Sequence, residues 1–149
     1  MLKFYALFFL NLKSNSNKIK SGKIMNKECV FCNIKKEDKL IDGTLAFILE
    51  DCFPVTKYHS LIIPKRHFEN YFDIRKEELL EIHDLLTLRK KQILSEDSFV
   101  TGFNIGINIG HDAGQSIFHF HVHLIPRRLG DLENPKGGVR GVIPSKRNY

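Results

Sequence analysis

The sequence predicts an α+β domain: a mainly antiparallel sheet of about five strands with one long helix packed on it. Three observations carry this. Apolar runs of strand length recur at 45–50, 60–63, 103–109 and 117–125. Residues 75–94 instead place apolar side chains at helical spacing. The last two runs are joined by a glycine-containing stretch, the pattern of an antiparallel hairpin. At 149 residues the chain fits one domain with one hydrophobic core.

The first 24 residues stand apart as a leader, with the domain proper at 25–149. The leader holds an apolar run at 4–10, then Asn, Ser and Lys residues, five lysines in all and no acid. It is read as a targeting peptide, or as a disordered or mis-assigned start ahead of Met25. The formal net charge of +6 is concentrated there, leaving +1 for the rest. A near-neutral body argues against a nucleic-acid-binding role. No window is apolar over the eighteen or more residues a bilayer span needs, so no membrane partner is expected.

The elements follow in order. Residues 45–50 form a first compact strand, and 51–58, with Pro54, a loop. A second strand at 60–63 is expected to end at Pro64. The helix at 75–94 lines up Leu79, Ile82, Leu86 and Ile93, with Asp73 as its expected N-cap and Glu77 and Glu78 at the positive end of its dipole. Its His83 is expected to be exposed. The run at 103–109 alternates, setting Phe103, Ile105, Ile107 and Ile109 on one face. A turn at 110–114, containing an exposed His111, leads to the strand at 117–125, stopped by Pro126. The tail from Gly130 is expected to be extended and irregular.

Chemistry concentrates in 118–124, Phe-His-Phe-His-Val-His-Leu. Side chains alternate across an extended segment. His119, His121 and His123 therefore share one face, while Phe118, Phe120, Val122 and Leu124 share the other. Imidazole is a base, a nucleophile and a metal ligand near neutral pH, so three in a row can divide labour around one phosphate. The alternative is an incidental metal-binding tract. Gly114, Gln115 and Ser116 directly before it supply a pliable backbone and donors for phosphate oxygens, and Asn108 can reach the same pocket from the preceding strand.

Three cysteines, Cys29, Cys32 and Cys52, do not make a disulfide framework. The Cys29-x-x-Cys32 spacing suits half of a metal site or a redox pair. Either favours a reducing compartment, hence a cytoplasmic location. His67 and His119 are the best candidates to complete a four-ligand zinc set. Cys52 and His59 are taken as packing or pocket-edge residues.

The stretch 106–127, with Asn108, Ala113-Gly114-Gln115-Ser116 and His119-x-His121-x-His123, resembles the histidine triad family. Upstream, Cys29-Val30-Phe31-Cys32, Asp51-x-x-Pro54 and the run from His59 to His67 resemble that family's N-terminal half in order and spacing. The tail, with Gly137-Gly138-Val139-Arg140 and Lys146-Arg147-Asn148-Tyr149, resembles a bacterial subset described as diadenosine tetraphosphate hydrolases. The resemblance covers essentially 25–149 and implies a homodimer with the sheet continued across it. It implies that His121 is the nucleophile, forming a nucleotidyl-histidine that water resolves. His123 would hold a non-bridging phosphate oxygen. Ser116 and Gln115 would lie near the leaving group, Asn108 would contact the phosphate, and Gly114 would form the turn beneath them. Asp51 would bind ribose hydroxyls, and a zinc-containing branch implies structural zinc on Cys29, Cys32, His67 and His119. The expected substrates are adenine nucleotide derivatives, either dinucleoside polyphosphates or nucleoside phosphoramidates, with a phosphate-using phosphorylase as a variant. The rival classes are a catalytically idle nucleotide-binding protein and a zinc-dependent interaction module.

Overall fold

The computed structural model describes residues 29–147. The expected leader at 1–24 lies outside them, as do Asn148 and Tyr149. Five strands form one sheet: β1 (Ile41–Asp42), β2 (Ala46–Glu50), β3 (Ser60–Pro64), β4 (Val100–Gly106) and β5 (Val122–Arg128). Their spatial order is β1-β2-β3-β5-β4, with every neighbouring pair antiparallel. One helix, α1 (Lys76–Glu96), packs on the sheet.

Both faces of the central strands are covered, which is why β2 and β3 read as unbroken apolar runs. Ala46, Ile48, Ile62, Phe120, Val122 and Leu124 pack with Ile82, Leu85 and Ile93 of α1. The alternate residues Phe47, Leu49, Leu61 and Ile63 form a second cluster with Cys29 and Phe31. Each fully buried side chain of this size contributes about 1.5–3 kcal/mol. The second cluster also fixes the N-terminal cysteine segment against the sheet.

Four details correct the expectations. Asp73 is not the N-cap of α1. It closes a separate 3₁₀ turn, Tyr71–Asp73, whose own cap is Asn70, accepting from the Phe72 amide at 3.0 Å. The cap position of α1 is Arg75, whose amide donates to Glu78 Oε2 at 2.9 Å. The core-facing stripe also differs. It runs Glu78, Ile82, Leu85, Arg89, Ile93, while Leu79 is exposed and Leu86 only half-buried. Two charged residues on that stripe hide it from a pattern of apolar spacing.

The hairpin is shifted toward the C-terminus. β4 ends at Gly106, and the connection to β5 spans 107–121. Ile105 pairs with Leu124 yet is half exposed on this outermost strand. Phe118 is also exposed instead of joining the core.

Pro64 is the last residue of β3, as expected, but Pro126 does not end its strand. Pro64 pairs with Ala46, and Pro126 pairs with Phe103 inside β5. A residue's N and C=O point to the same side of a strand. The Pro126 carbonyl accepts from Thr56 Oγ1 at 2.6 Å, beyond the point where β3 stops pairing at Ser60. The Pro64 carbonyl accepts from His119 Nε2 at 2.8 Å, beyond the last β3–β5 pair at Ile62 and Val122. Each missing N–H therefore faces a side with no ladder to complete.

Candidate active site and metal centre

The chain enters β5 through an extended segment anchored by the Phe120 amide on the Phe68 carbonyl at 2.6 Å. Only His123 lies in the strand itself; His119 and His121 precede it. The alternation still holds. Phe120, Val122 and Leu124 point toward α1, and the three imidazoles line the opposite side, where Phe31 sits edge-on to His119 and His121.

The four expected ligands converge. His119 Nδ1 lies 3.4 Å from Cys29 Sγ, 3.5 Å from Cys32 Sγ and 3.2 Å from His67 Nδ1, and Cys32 Sγ lies 3.4 Å from His67 Nδ1. A tetrahedral zinc with ordinary bond lengths needs donor separations of about 3.3–3.6 Å for these N–N and N–S pairs. The donor set therefore fits zinc. The His119 Nε2–H bond to the Pro64 carbonyl leaves Nδ1 as the bare donor atom, the usual outer support of a metal-bound imidazole.

His121 is arranged differently. It is buried, and its Nδ1 lies 2.8 Å from the His119 carbonyl. A carbonyl only accepts, so Nδ1 carries the proton and Nε2 keeps its lone pair. His119, whose Nδ1 faces the Cys29, Cys32 and His67 donors, thus also fixes the tautomer of its neighbour two positions on.

His123 is set by His59. The Val55 amide donates to His59 Nδ1 at 3.2 Å, so His59 is protonated at Nε2. That Nε2–H donates to His123 Nδ1 at 3.0 Å, leaving His123 with Nε2–H as a donor. Asp51 stands 3.4 Å from His59 Nδ1 and accepts from the Phe53 amide at 2.8 Å. The His59–His123 hydrogen bond accounts for the closeness of that pair. His59 is thus a site residue, which its lone position before a strand did not reveal. The available signal was its place at the head of the run that reaches His67.

Burial keeps these imidazoles neutral. It pushes His123 down to about 4, helped by repulsion from His121 and His59, and His119 likewise down to about 4. It lowers His121 and His59 as well, with Asp51 pulling both the other way. The unfolded imidazole titrates near 6.5 (about the free value), so between there and about 4 the unfolded chain holds more protons at position 123. Its contribution to stability is complete above about 6.5 and is lost as pH falls toward 4. Thermal melts from pH 7 to 4.5 should show a falling Tm, and His123→Asn should flatten part of that fall. An equally steep fall in His123→Asn would contradict a neutral folded imidazole there.

The 107–121 connection carries the other expected residues. Asn108 is half-buried and Ser116 exposed. Gly114 has φ 83° at the end of the 3₁₀ turn His111–Ala113, with nothing within 4 Å of where a Cβ would stand. Its backbone conformation, not close packing, requires glycine. Gln115 is buried, its Oε1 accepting from the Gly110 amide at 2.7 Å and its Nε2 donating to the Glu69 carbonyl at 3.0 Å. Both ends of that side chain brace the loop, so its expected place at a leaving group is not what the geometry shows. His83, His111 and Cys52 are exposed. Together the site presents one bare imidazole nitrogen beside one N–H donor, next to four donors that could hold a metal ion.

Comparison with known proteins agrees with this arrangement. The HIT domain model matches residues 34–130. A HIT family protein of Bacillus anthracis superposes with a TM-score of 0.65 at 34% identity, covering 70% of this chain and 77% of that one. A zinc-bound histidine triad family protein of Mycobacterium smegmatis gives 0.62 at 32%, covering 69% and 77%. The adenylylsulfatase HINT3 of Arabidopsis thaliana is 32% identical over 122 residues, 79% of this chain and 61% of its own. With well over half the chain matched and its five-stranded sheet and helix shared with solved members, the protein belongs to the histidine triad (HIT) family.

Proposed function

We propose that the protein is a nucleotide hydrolase or transferase that attacks the α-phosphate of adenine nucleotide derivatives, dinucleoside polyphosphates such as diadenosine tetraphosphate or nucleoside phosphoramidates. The observation that carries this is the fixed tautomer pair: a bare His121 Nε2 beside the Nε2–H of His123. His121 Nε2 forms a bond to phosphorus as the bond to the leaving group breaks, and the leaving group departs with the electron pair. Water then attacks the same phosphorus, the P–N bond breaks, and nucleoside monophosphate is released with His121 restored. This splits one hydrolysis into two easier displacements. His123 holds a non-bridging oxygen as charge develops. Ser116 serves the leaving group, Asn108 the phosphate and Asp51 the ribose hydroxyls. The adenylylsulfatase activity in the name of the Arabidopsis relative supports phosphorus chemistry of this class.

Zinc on Cys29, Cys32, His67 and His119 is structural in this reading, holding His119 so that its carbonyl orients His121. Three cysteines, two of them in the candidate metal set, suit a reducing compartment such as the cytoplasm. A homodimer is supported by β4, which leaves one backbone edge open at the end of the sheet with Ile105 half exposed. Sedimentation at micromolar concentration is expected to give the dimer mass; a pure monomer would remove that part of the proposal. The function is tested with a panel of diadenosine polyphosphates, adenosine phosphoramidates and adenylyl sulfate. Turnover of at least one with release of AMP is expected, and none by wild type on any would favour the idle binding protein.

A further inference from the structure

Directly behind the His59–His123 pair, the fold buries an arginine that the proposed chemistry does not use. Arg89 of α1 is only 2% exposed. Its Nε donates to Ser60 Oγ at 3.0 Å and its Nη2 to Glu50 Oε1 at 3.0 Å, while its guanidinium lies 5.7 Å from the centre of the Tyr58 ring. Burying a charge with one partly exposed carboxylate is a poor way to stabilise a core, where an apolar side chain would fill the space at lower free energy. The position calls for another account.

That account lies in the residues it touches. Ser60, fully buried, donates its hydroxyl to the Tyr58 carbonyl at 2.8 Å and accepts from Arg89, so the three form one directed chain. Tyr58, with φ 70°, is the one non-glycine residue at positive φ among those described. An L-residue holds that conformation only when its surroundings impose it. The residue turned by that strained backbone is His59, whose own amide is tied to the Thr56 carbonyl at 3.0 Å and whose Nε2 meets His123 Nδ1.

We propose that Arg89 is a positioning residue: through Ser60 and the Tyr58 carbonyl it holds Tyr58 in its left-handed conformation and so aims His59 Nε2–H at His123. Arg89 does not touch substrate. It acts by keeping His123 in the tautomer that presents Nε2–H to a phosphate oxygen. The proposal rests on the catalytic role given to His123 above.

The test uses the full chain with Ser60→Ala, which removes one hydroxyl and breaks the chain, and with Arg89→Met, which keeps length and removes the donors. Two readouts are taken, the imidazole nitrogen signals of His59 and His123 by NMR and the steady-state constants on a hydrolysed adenine nucleotide. In both variants the His59 Nε2–H and His123 Nδ1 signals should shift toward mixed tautomers. The kcat should fall about 10- to 100-fold, the size expected for misplacing a group at the reacting centre, with KM within about 2-fold because phosphate is held best only as charge develops. If Arg89→Met fails to fold, Ser60→Ala carries the test. Wild-type tautomers in folded Ser60→Ala would overturn the proposal. The NMR readout needs no turnover. Shifted tautomers alongside an active His121→Ala would therefore retain the positioning role and reject the mechanism it serves.

Discussion

Replacing His121 with alanine should abolish turnover, lowering kcat by about 10⁴-fold or more, the scale seen when an essential nucleophile is removed. Nucleotide affinity should change little, because the groups assigned to binding, Asp51, Asn108 and His123, stand on other elements or on the strand beyond. The geometry makes this specific to His121. Its Nδ1–H is committed to the His119 carbonyl, so its free nitrogen is Nε2, whereas His119 directs Nδ1 into the Cys29, Cys32 and His67 cluster. His123 already accepts from His59 and offers only a donor. His123→Ala should therefore lower the rate by less, about 10- to 1,000-fold, as for loss of one donor to a developing charge. His121→Gly, which leaves a hole of imidazole size, should be partly restored by added imidazole. The check is kcat and Kd measured side by side for the three variants.

Zinc should co-purify at about one per chain, and chelation should lower Tm by on the order of 10 °C for a domain of this size. The four donors come from three separate places: the 29–32 segment, the end of β3 and the approach to β5. An ion there would tie the 29–32 segment, which packs on the sheet through the small cluster around Phe31 and Ile63, to the two sheet segments. Cys29→Ser should lose the metal and reproduce the drop in Tm without chelator. Because His119 supplies both a ligand and the carbonyl on His121, kcat should fall too once the metal is gone. Metal analysis and melting curves decide this. Metal-free protein with an unchanged Tm would reject a structural zinc.

The alternation at 118–124 separates the imidazoles from Phe120, Val122 and Leu124 in the core, but it fails at Phe118, which is exposed. The same residues misled on strand limits, since His119 and His121 lie outside the ladder and Pro126 inside it. What decides a proline's tolerance is whether a neighbouring strand reaches its N–H, and that depends on where β3 ends. The helix was legible in position but not in rotation. Glu78 and Arg89 are buried through ion pairs with Arg66 and Glu50, and a charge on the core stripe cannot be told from a solvated one by spacing. The metal set was legible in composition, though only folding shows that His67 and His119 meet Cys29 and Cys32. His59 and Gln115 exchanged roles, one becoming a site residue and the other a loop brace. Both outcomes depend on partners 64 and 46 residues away, His123 and Glu69.

The proposed mechanism puts a covalent bond between His121 Nε2 and phosphorus. The most direct measurement is to mix the enzyme with a nucleotide radiolabelled in its α-phosphate, quench within the first turnovers, and map the label by peptide. Label on the peptide containing His121, labile to acid, absent in His121→Ala and chased by unlabelled substrate, is the expected result. Rapid turnover with no protein-bound label at any quench time, together with a near wild-type rate in His121→Ala, would contradict it.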